Sequence, residues 1–172
     1  MAPVVRDGTG FEAIYGEHFA FVWRCLRGLG VPEAGLDDAA QDVFVIVHRR
    51  LSEFRGESTL RTWLYAIVRN VASNARRSQR RKGELAELPG DAAASSGDPL
   101  QSAQDQQAAR FVRSFLEGVG DKKRELFVLA VIEQMSVPEV AEALGIPLNT
   151  AYTRLRSVRA DFQAALAVRG AP

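Results

Sequence analysis

Two sets of side chains in this 172-residue chain have the types and spacing to bind a polyanion. The first lies in the stretch Phe54 to Lys82, FRGESTLRTWLYAIVRNVASNARRSQRRK. From Trp63 onward, Leu64, Ile67, Val68, Val71 and Ala75 fall at helical spacing and define a stripe that faces a core. Arg69, Ser73, Arg76, Arg77 and Arg80 occupy the opposite side, flanked by Asn70, Asn74 and Arg81, and no acid interrupts the run between Glu57 and Glu84. A helix with Leu and Val on one side and only guanidinium groups and short polar side chains on the other suits a polyanion. The same pattern also describes a merely solvated face, and this stretch alone leaves both readings open.

The second set decides between them. Ser136 and Glu139 form a capping box, S-x-x-E, that opens a short helix carrying Val140, Ala141 and Leu144. Gly145-Ile146-Pro147 makes a tight turn, and a second helix begins near Leu148 with Ala151, Leu155, Val158 and Phe162 inward. Short helix, Gly-containing turn and longer helix together make a helix-turn-helix, with Ala141 small enough for the two helices to cross closely. Asn149, Thr153, Arg156 and Ala160 share the outward face of the second helix, with Thr150 and Ser157 on one flank and Tyr152 and Arg159 on the other. Short hydroxyls and amides reach base edges, and an arginine either bonds guanine bidentately or holds a phosphate. Arg154 and Arg159 lie closer to the core edge and are assigned to phosphates. Each of these residues singly is compatible with a solvated side chain; together they form a reading head for duplex DNA.

Other chemistry finds little footing. The chain has no nucleophile–base pair, no paired carboxylates in a plausible pocket and no phosphate-cradling Gly loop, so no enzyme activity, cofactor or small-molecule substrate is expected. His18 and His48 share no ligand-like spacing with each other or with carboxylates, and no metal is expected. The single Cys25 excludes an intramolecular disulfide and reads as a small apolar helix residue.

The elements that must position these residues are helices. Apolar and charged fractions of 47% and 25% are those of a soluble globular protein, and the net charge of +1 means that attraction to nucleic acid must come from how charge is placed. No apolar run approaches the roughly 18–20 residues of a membrane span, and the N-terminus lacks an apolar leader core, so a cytoplasmic location is expected. Residues 1–9 read as a tail. A helix follows from Phe11 to Leu29, with Phe11, Ile14, Tyr15, Val22, Leu26 and Leu29 as candidate core positions. The next, about Glu33 to Glu53, has an apolar stripe at Ala40, Val43, Phe44, Val47 and Leu51. Its far side carries Asp38, Gln41, Asp42, Val45 and Arg49, which is either plain surface or a docking patch for a basic partner helix.

Residues 83–97, GELAELPGDAAASSG, lack periodicity and read as a flexible linker whose full reach is roughly 50 Å. Asp98-Pro99 opens the second module. There Ala108, Phe111, Val112, Phe115 and Val119 trace a buried face, and a further helix is expected from about Asp121 to Glu133. No strand-type alternation of useful length occurs. The expected fold is all-α: two small helical domains, residues 10–82 and 98–172, on a tether.

Both halves resemble one family, the extracytoplasmic-function (ECF) sigma factors of bacterial RNA polymerase. The run DDAAQDVFVIVHRRLSEFRGESTLRTWLYAIVRNVASNARR is similar to sigma region 2, with its acidic helix, F-R-G-E-S loop and W-L-x-x-I-x-R-N helix. SVPEVAEALGIPLNTAYTRLRSVR is similar to the region 4 signature S-x-x-E-[IV]-A-x-x-L-G-x-P-x-N-T. Both occur in the family's order and separation, and the resemblance extends from about Phe11 to Leu166.

The resemblance implies a promoter-specificity subunit whose partners are core RNA polymerase, promoter DNA and an anti-sigma factor. It places Asp38, Gln41, Asp42 and Val45 on the clamp helices of the largest polymerase subunit, and region 4 on the flap of the second-largest. Arg55, Gly56, Glu57, Ser58 and Thr59 match the loop that captures a flipped base of the minus-ten element, where a binding pocket offsets part of a melting cost of a few kcal/mol. Arg69, Asn70, Asn74, Arg76 and Arg77 match the helix that tracks the non-template strand. Asn149, Thr150, Tyr152, Thr153, Arg154, Arg156, Ser157 and Arg159 match the minus-thirty-five reader.

Trp63 either stacks on a base or anchors the core, and the core is favoured. Two positions depart from the family pattern: Asn74 stands where an Asp is common, and Val119-Gly120 replaces the usual L-P before Arg124. A stand-alone dimeric helix-turn-helix regulator is the competing reading. It accounts for Ser136 to Ala165 but leaves the acidic helix and the FRGES loop without a role.

Overall fold

The computed structural model describes residues 9–85 and 103–170. Every regular element among them is helical, and no strand occurs there. In the first half α1 (Thr9–Gly28), α2 (Leu36–Arg50) and α3 (Leu60–Leu85) pack against one another in all three pairings. Short 3₁₀ turns at Glu33–Gly35 and Leu51–Glu53 bracket α2. The stripes expected from sequence form this core: Val22 and Leu26 of α1, Val43 and Val47 of α2, and Leu64 and Val68 of α3 are all fully buried. Tyr15, expected in that core, is instead 44% exposed at its edge. Its ring sits 4.6 Å from Phe44 and 5.4 Å from Phe19, on the open side of the bundle.

The second half comprises α4 (Ala103–Gly118), α5 (Asp121–Phe127), a π-helical turn (Val128–Ile132), α6 (Val137–Leu144) and α7 (Leu148–Gly170). Phe115, Phe127 and Phe162 form its aromatic centre, with ring centroids 5.0–5.1 Å apart. Ala108 lies exposed on α4, where only the residues from Phe111 onward face this centre. α3 continues to Leu85, three residues into the stretch expected from sequence as a linker. The rest of the tether, and the Asp98-Pro99 start of the second module, lie outside the described residues.

The helix expected to run unbroken from Asp121 to Glu133 changes pitch at Val128. The Glu133 amide bonds the Val128 carbonyl five residues back, at 2.9 Å, and Gln134 follows in the left-handed region at φ 53°. A single wide turn of this kind shifts the helix face by one residue. It does so where the sequence is apolar all round (Phe127, Val128, Leu129, Ala130, Val131, Ile132), as befits a segment covered on two sides. One cover is the second module itself; the other is α1. A Cβ on Gly28 would lie 2.6 Å from Val128 Cγ2, so the two halves meet there without room for a methyl group.

Candidate nucleic-acid interface

The paired reading helices are built by short-range chemistry. The Ser136 hydroxyl accepts from the Glu139 amide at 3.4 Å, and the Glu139 carboxylate accepts from the Ser136 amide at 2.9 Å and from its hydroxyl at 2.7 Å. Those bonds, led by the one from the Ser136 side chain, hold the Glu139 carboxyl below its ordinary value. Gly145 ends α6 at φ 63°, a conformation that costs any residue with a Cβ, and the Ile146 amide returns to the Ala141 carbonyl at 3.0 Å. Ala151, Leu155 and Val158 of α7 are buried against this turn.

The expected reading face stands clear of the core. Asn149, Tyr152, Thr153, Arg156 and Arg159 are exposed, while Thr150, Arg154 and Ser157 are half-buried along the edges. Tyr152 is 51% exposed, a large ring held in water with no ring partner among the described aromatic contacts. The Thr153 hydroxyl donates back to the Asn149 carbonyl at 2.9 Å.

In the first half the FRGES loop turns at Gly56 and leaves Arg55, Glu57 and Thr59 exposed and Ser58 half-buried. Thr59 caps α3, its Oγ1 accepting from the Thr62 amide at 3.2 Å. Trp63, half-buried, lies 5.3 Å from Phe54 and packs against the core, as favoured from sequence. Asn70, Asn74, Arg77, Arg80 and Arg81 are exposed on α3.

Arg69 and Arg76, expected to lie free on that face, are instead held by the second module. Arg69 Nε donates to Glu125 Oε1 at 2.7 Å. Arg76 donates to the Leu29 carbonyl at 2.9 Å and to Asp121 at 3.2 Å, and Asp121 is shared with Arg124 at 3.1 Å. The reason is that α3 packs against the second module, so that α5 supplies carboxylates where solvent had been expected. A third acid, Glu133, has a side chain only 1% exposed and takes Arg24 at 2.7 and 2.8 Å and Arg61 at 3.0 Å. Its hydrogen bond raises the Arg24 guanidinium further above the ordinary value. Arg24, Arg61 and Glu133 were not singled out from sequence. The available signal was a carboxylate closing an apolar run, Val128 to Ile132, where a solvated residue would be out of place. Cys25, beside this cluster, is fully buried, and burial pushes its thiol well up, away from reactivity.

Asp38, Gln41, Asp42 and Val45 form one exposed strip on α2, with Val45 41% exposed. Beside it Phe11, Tyr15, Phe19, Phe44 and His48 line an open groove of about 580 Å³. Among the described residues no three His, Cys, Asp or Glu side chains gather to hold a metal, and no helix is long and apolar enough to cross a membrane.

Comparison with known proteins agrees with this layout. Residues 14–82 match the family model of sigma-70 region 2, and residues 112–161 match that of sigma-70 region 4. The chain is 30% identical over 165 residues to the RNA polymerase sigma factor CnrH of Cupriavidus metallidurans, covering 91% of this chain and 86% of that one. It is 25% identical to the ECF RNA polymerase sigma-E factor of Escherichia coli K12 over 75% of this chain and 72% of that protein. The solved structure of CnrH in complex with the cytosolic domain of CnrY superposes with a TM-score of 0.72 at 26% identity, over 96% of this chain and 92% of that one. A Bartonella quintana sigma factor RpoE, solved with the anti-sigma factor NepR, shares the fold with a TM-score of 0.75 at 20% identity, over 92% and 98%. The chain therefore belongs to the ECF group of the sigma-70 family, the factors that direct core RNA polymerase to promoters.

Proposed function

We propose that residues 10–82 dock on polymerase and hold opened promoter DNA while residues 98–172 read the duplex upstream. Asp38, Gln41, Asp42 and Val45 form the docking strip for the clamp helices of the largest subunit, an acidic face with one exposed apolar residue suited to a basic helix. The second module meets the flap of the second-largest subunit. Arg55 to Thr59 take the flipped minus-ten base, and Arg69, Asn70, Asn74, Arg76 and Arg77 follow the non-template strand. Asn149, Thr150, Tyr152, Thr153, Arg156 and Ser157 read the minus-thirty-five element, with Arg154 and Arg159 on phosphates.

The observation that carries this reading is the clean split of α7, with Ala151, Leu155 and Val158 buried and Asn149, Thr153 and Arg156 presented to solvent from a capped helix-turn-helix. The protein acts in the cytoplasm without chemistry of its own. An anti-sigma protein controls it, by analogy with the CnrH and RpoE structures, each solved with a second protein bound.

Run-off transcription from genomic fragments, with core enzyme alone and with core plus this chain, tests the proposal. Promoter-dependent products are expected only in the second reaction. Tight, sequence-specific duplex binding by the chain alone, with no such products, would favour a stand-alone regulator instead.

A further inference from the structure

Leu148 and Tyr152 are large apolar side chains that α7 leaves in water, at 43% and 51% exposure. They stand four residues apart and are therefore neighbours on the helix surface. Helical side chains lean toward the N-terminus, so a ring at position 152 stands over the turn that Leu148 opens. Single exposed apolar residues are ordinary, but an adjacent pair on a polar face marks a contact surface.

The backbone under this pair is fixed. Gly145 turns at φ 63°, the Ile146 amide returns to the Ala141 carbonyl at 3.0 Å, and the Ala151 amide donates to the Pro147 carbonyl at 3.0 Å. Ala151 and Leu155 are buried on the inner side of the same helix, and Ile146 packs against the core just before it begins. These residues supply the packing of the turn, and Leu148 is left at the tip of α7 beside Asn149.

The tip of such a helix is the part that meets base edges in the major groove. Guanine, adenine and cytosine show only hydrogen-bond donors and acceptors there, whereas thymine adds a C5-methyl, the one apolar group in the code. A leucine and the face of a phenol ring gain nothing from polar base edges, and would strip water from them at a cost. They gain by covering a methyl.

We infer that Leu148 and Tyr152 form an apolar clamp over the C5-methyl of a thymine in the upstream duplex element, which makes Leu148 a specificity-determining residue. The inference rests on the proposed assignment of α7 to the minus-thirty-five element and goes beyond it in naming a base. Asn149, Thr153 and Arg156, farther round the exposed face, are left to the donors and acceptors of neighbouring base pairs.

Run-off transcription with core enzyme plus the full chain, on a promoter library randomised across the upstream element, first identifies the preferred bases. Synthetic templates then carry deoxyuridine for thymidine at each preferred A·T pair in turn, which removes the methyl and keeps the pairing. At one pair the parent is expected to lose about fourfold in transcription, the worth of burying one methyl group. Leu148→Ala and Tyr152→Ala are expected to use the thymine and uracil templates equally there, while Tyr152→Phe keeps the discrimination. Both positions are exposed, so the variants keep the core, which thermal melts followed by circular dichroism verify. A parent indifferent to uracil at every preferred pair, or a preferred element without an A·T pair, overturns the clamp. So does discrimination that survives Leu148→Ala, which assigns the methyl to another residue, or that is lost in Tyr152→Phe, which assigns it to the phenol hydroxyl. In each of these cases a base preference in the library still upholds the reading of the element by α7. A library with promoter-dependent products but no upstream preference overturns both.

Discussion

Arg24 and Glu133, 109 residues apart in sequence, face each other as a bidentate pair, Nε to Oε1 at 2.7 Å and Nη2 to Oε2 at 2.8 Å. The arginine is half in solvent and the carboxylate is almost wholly out of it. This asymmetry means that the two ends of the pair respond differently to substitution. Glu133→Gln keeps the shape but weakens hydrogen bonds to two guanidinium groups at a buried acceptor, and is expected to lower stability by about 2 kcal/mol. Arg24→Ala, which leaves Glu133 its Arg61 partner, is expected to cost less than about 1 kcal/mol. Urea midpoints of the two variants measure the difference, and equal losses would show that Glu133 draws no special support from Arg61.

Acid sensitivity has a local source in the helix-turn-helix. Glu139 ionises more readily in the folded chain than its ordinary value of 4.5, chiefly because the Ser136 hydroxyl bonds its carboxylate. A carboxyl whose folded value is lowered adds stability above its unfolded value and loses it as pH falls through the folded one. Glu139→Gln preserves a capping box but removes the charge. The parent is therefore expected to be the more stable at neutral pH, with the gap closing as pH drops below 4.5 towards and through the lowered folded value. Urea titrations at successive pH steps would show this, and a gap that widens on acidification would refute it.

Specificity on the duplex is expected to concentrate in Arg156. It is exposed on the same side of α7 as Asn149 and Thr153, and no intramolecular hydrogen bond or ion pair is recorded for it among the described contacts. Arg156→Ala should cost roughly 1–3 kcal/mol at a minus-thirty-five element whose guanine it bonds bidentately, and should relax preference at that base alone. Transcription from a set of single-base promoter variants reads both effects. A loss that is uniform across the set would make Arg156 a phosphate contact.

How much of this was legible from the residues alone depends on the range of the interaction. Capping at Ser136 and Glu139, the turn at Gly145 and the buried stripes of α2, α3 and α7 are decided within a few residues. They appear in the sequence as spacing, and the structure follows them. The all-helical fold and the exposed outward residues of α7 were legible for the same reason. What only the tertiary structure decided is which charges are free. Arg69, Asn70, Arg76 and Arg77 share one α3 pattern, yet Arg69 and Arg76 are paired across the seam while Asn70 remains exposed. Helical periodicity says which side of a helix avoids the core, but carries no information on whether another helix with complementary charge comes to lie there. The wide turn at Val128, the burial of Glu133 and the missing Cβ at Gly28 all belong to that second level, since each is set by the neighbour it meets and not by the residues beside it in the chain.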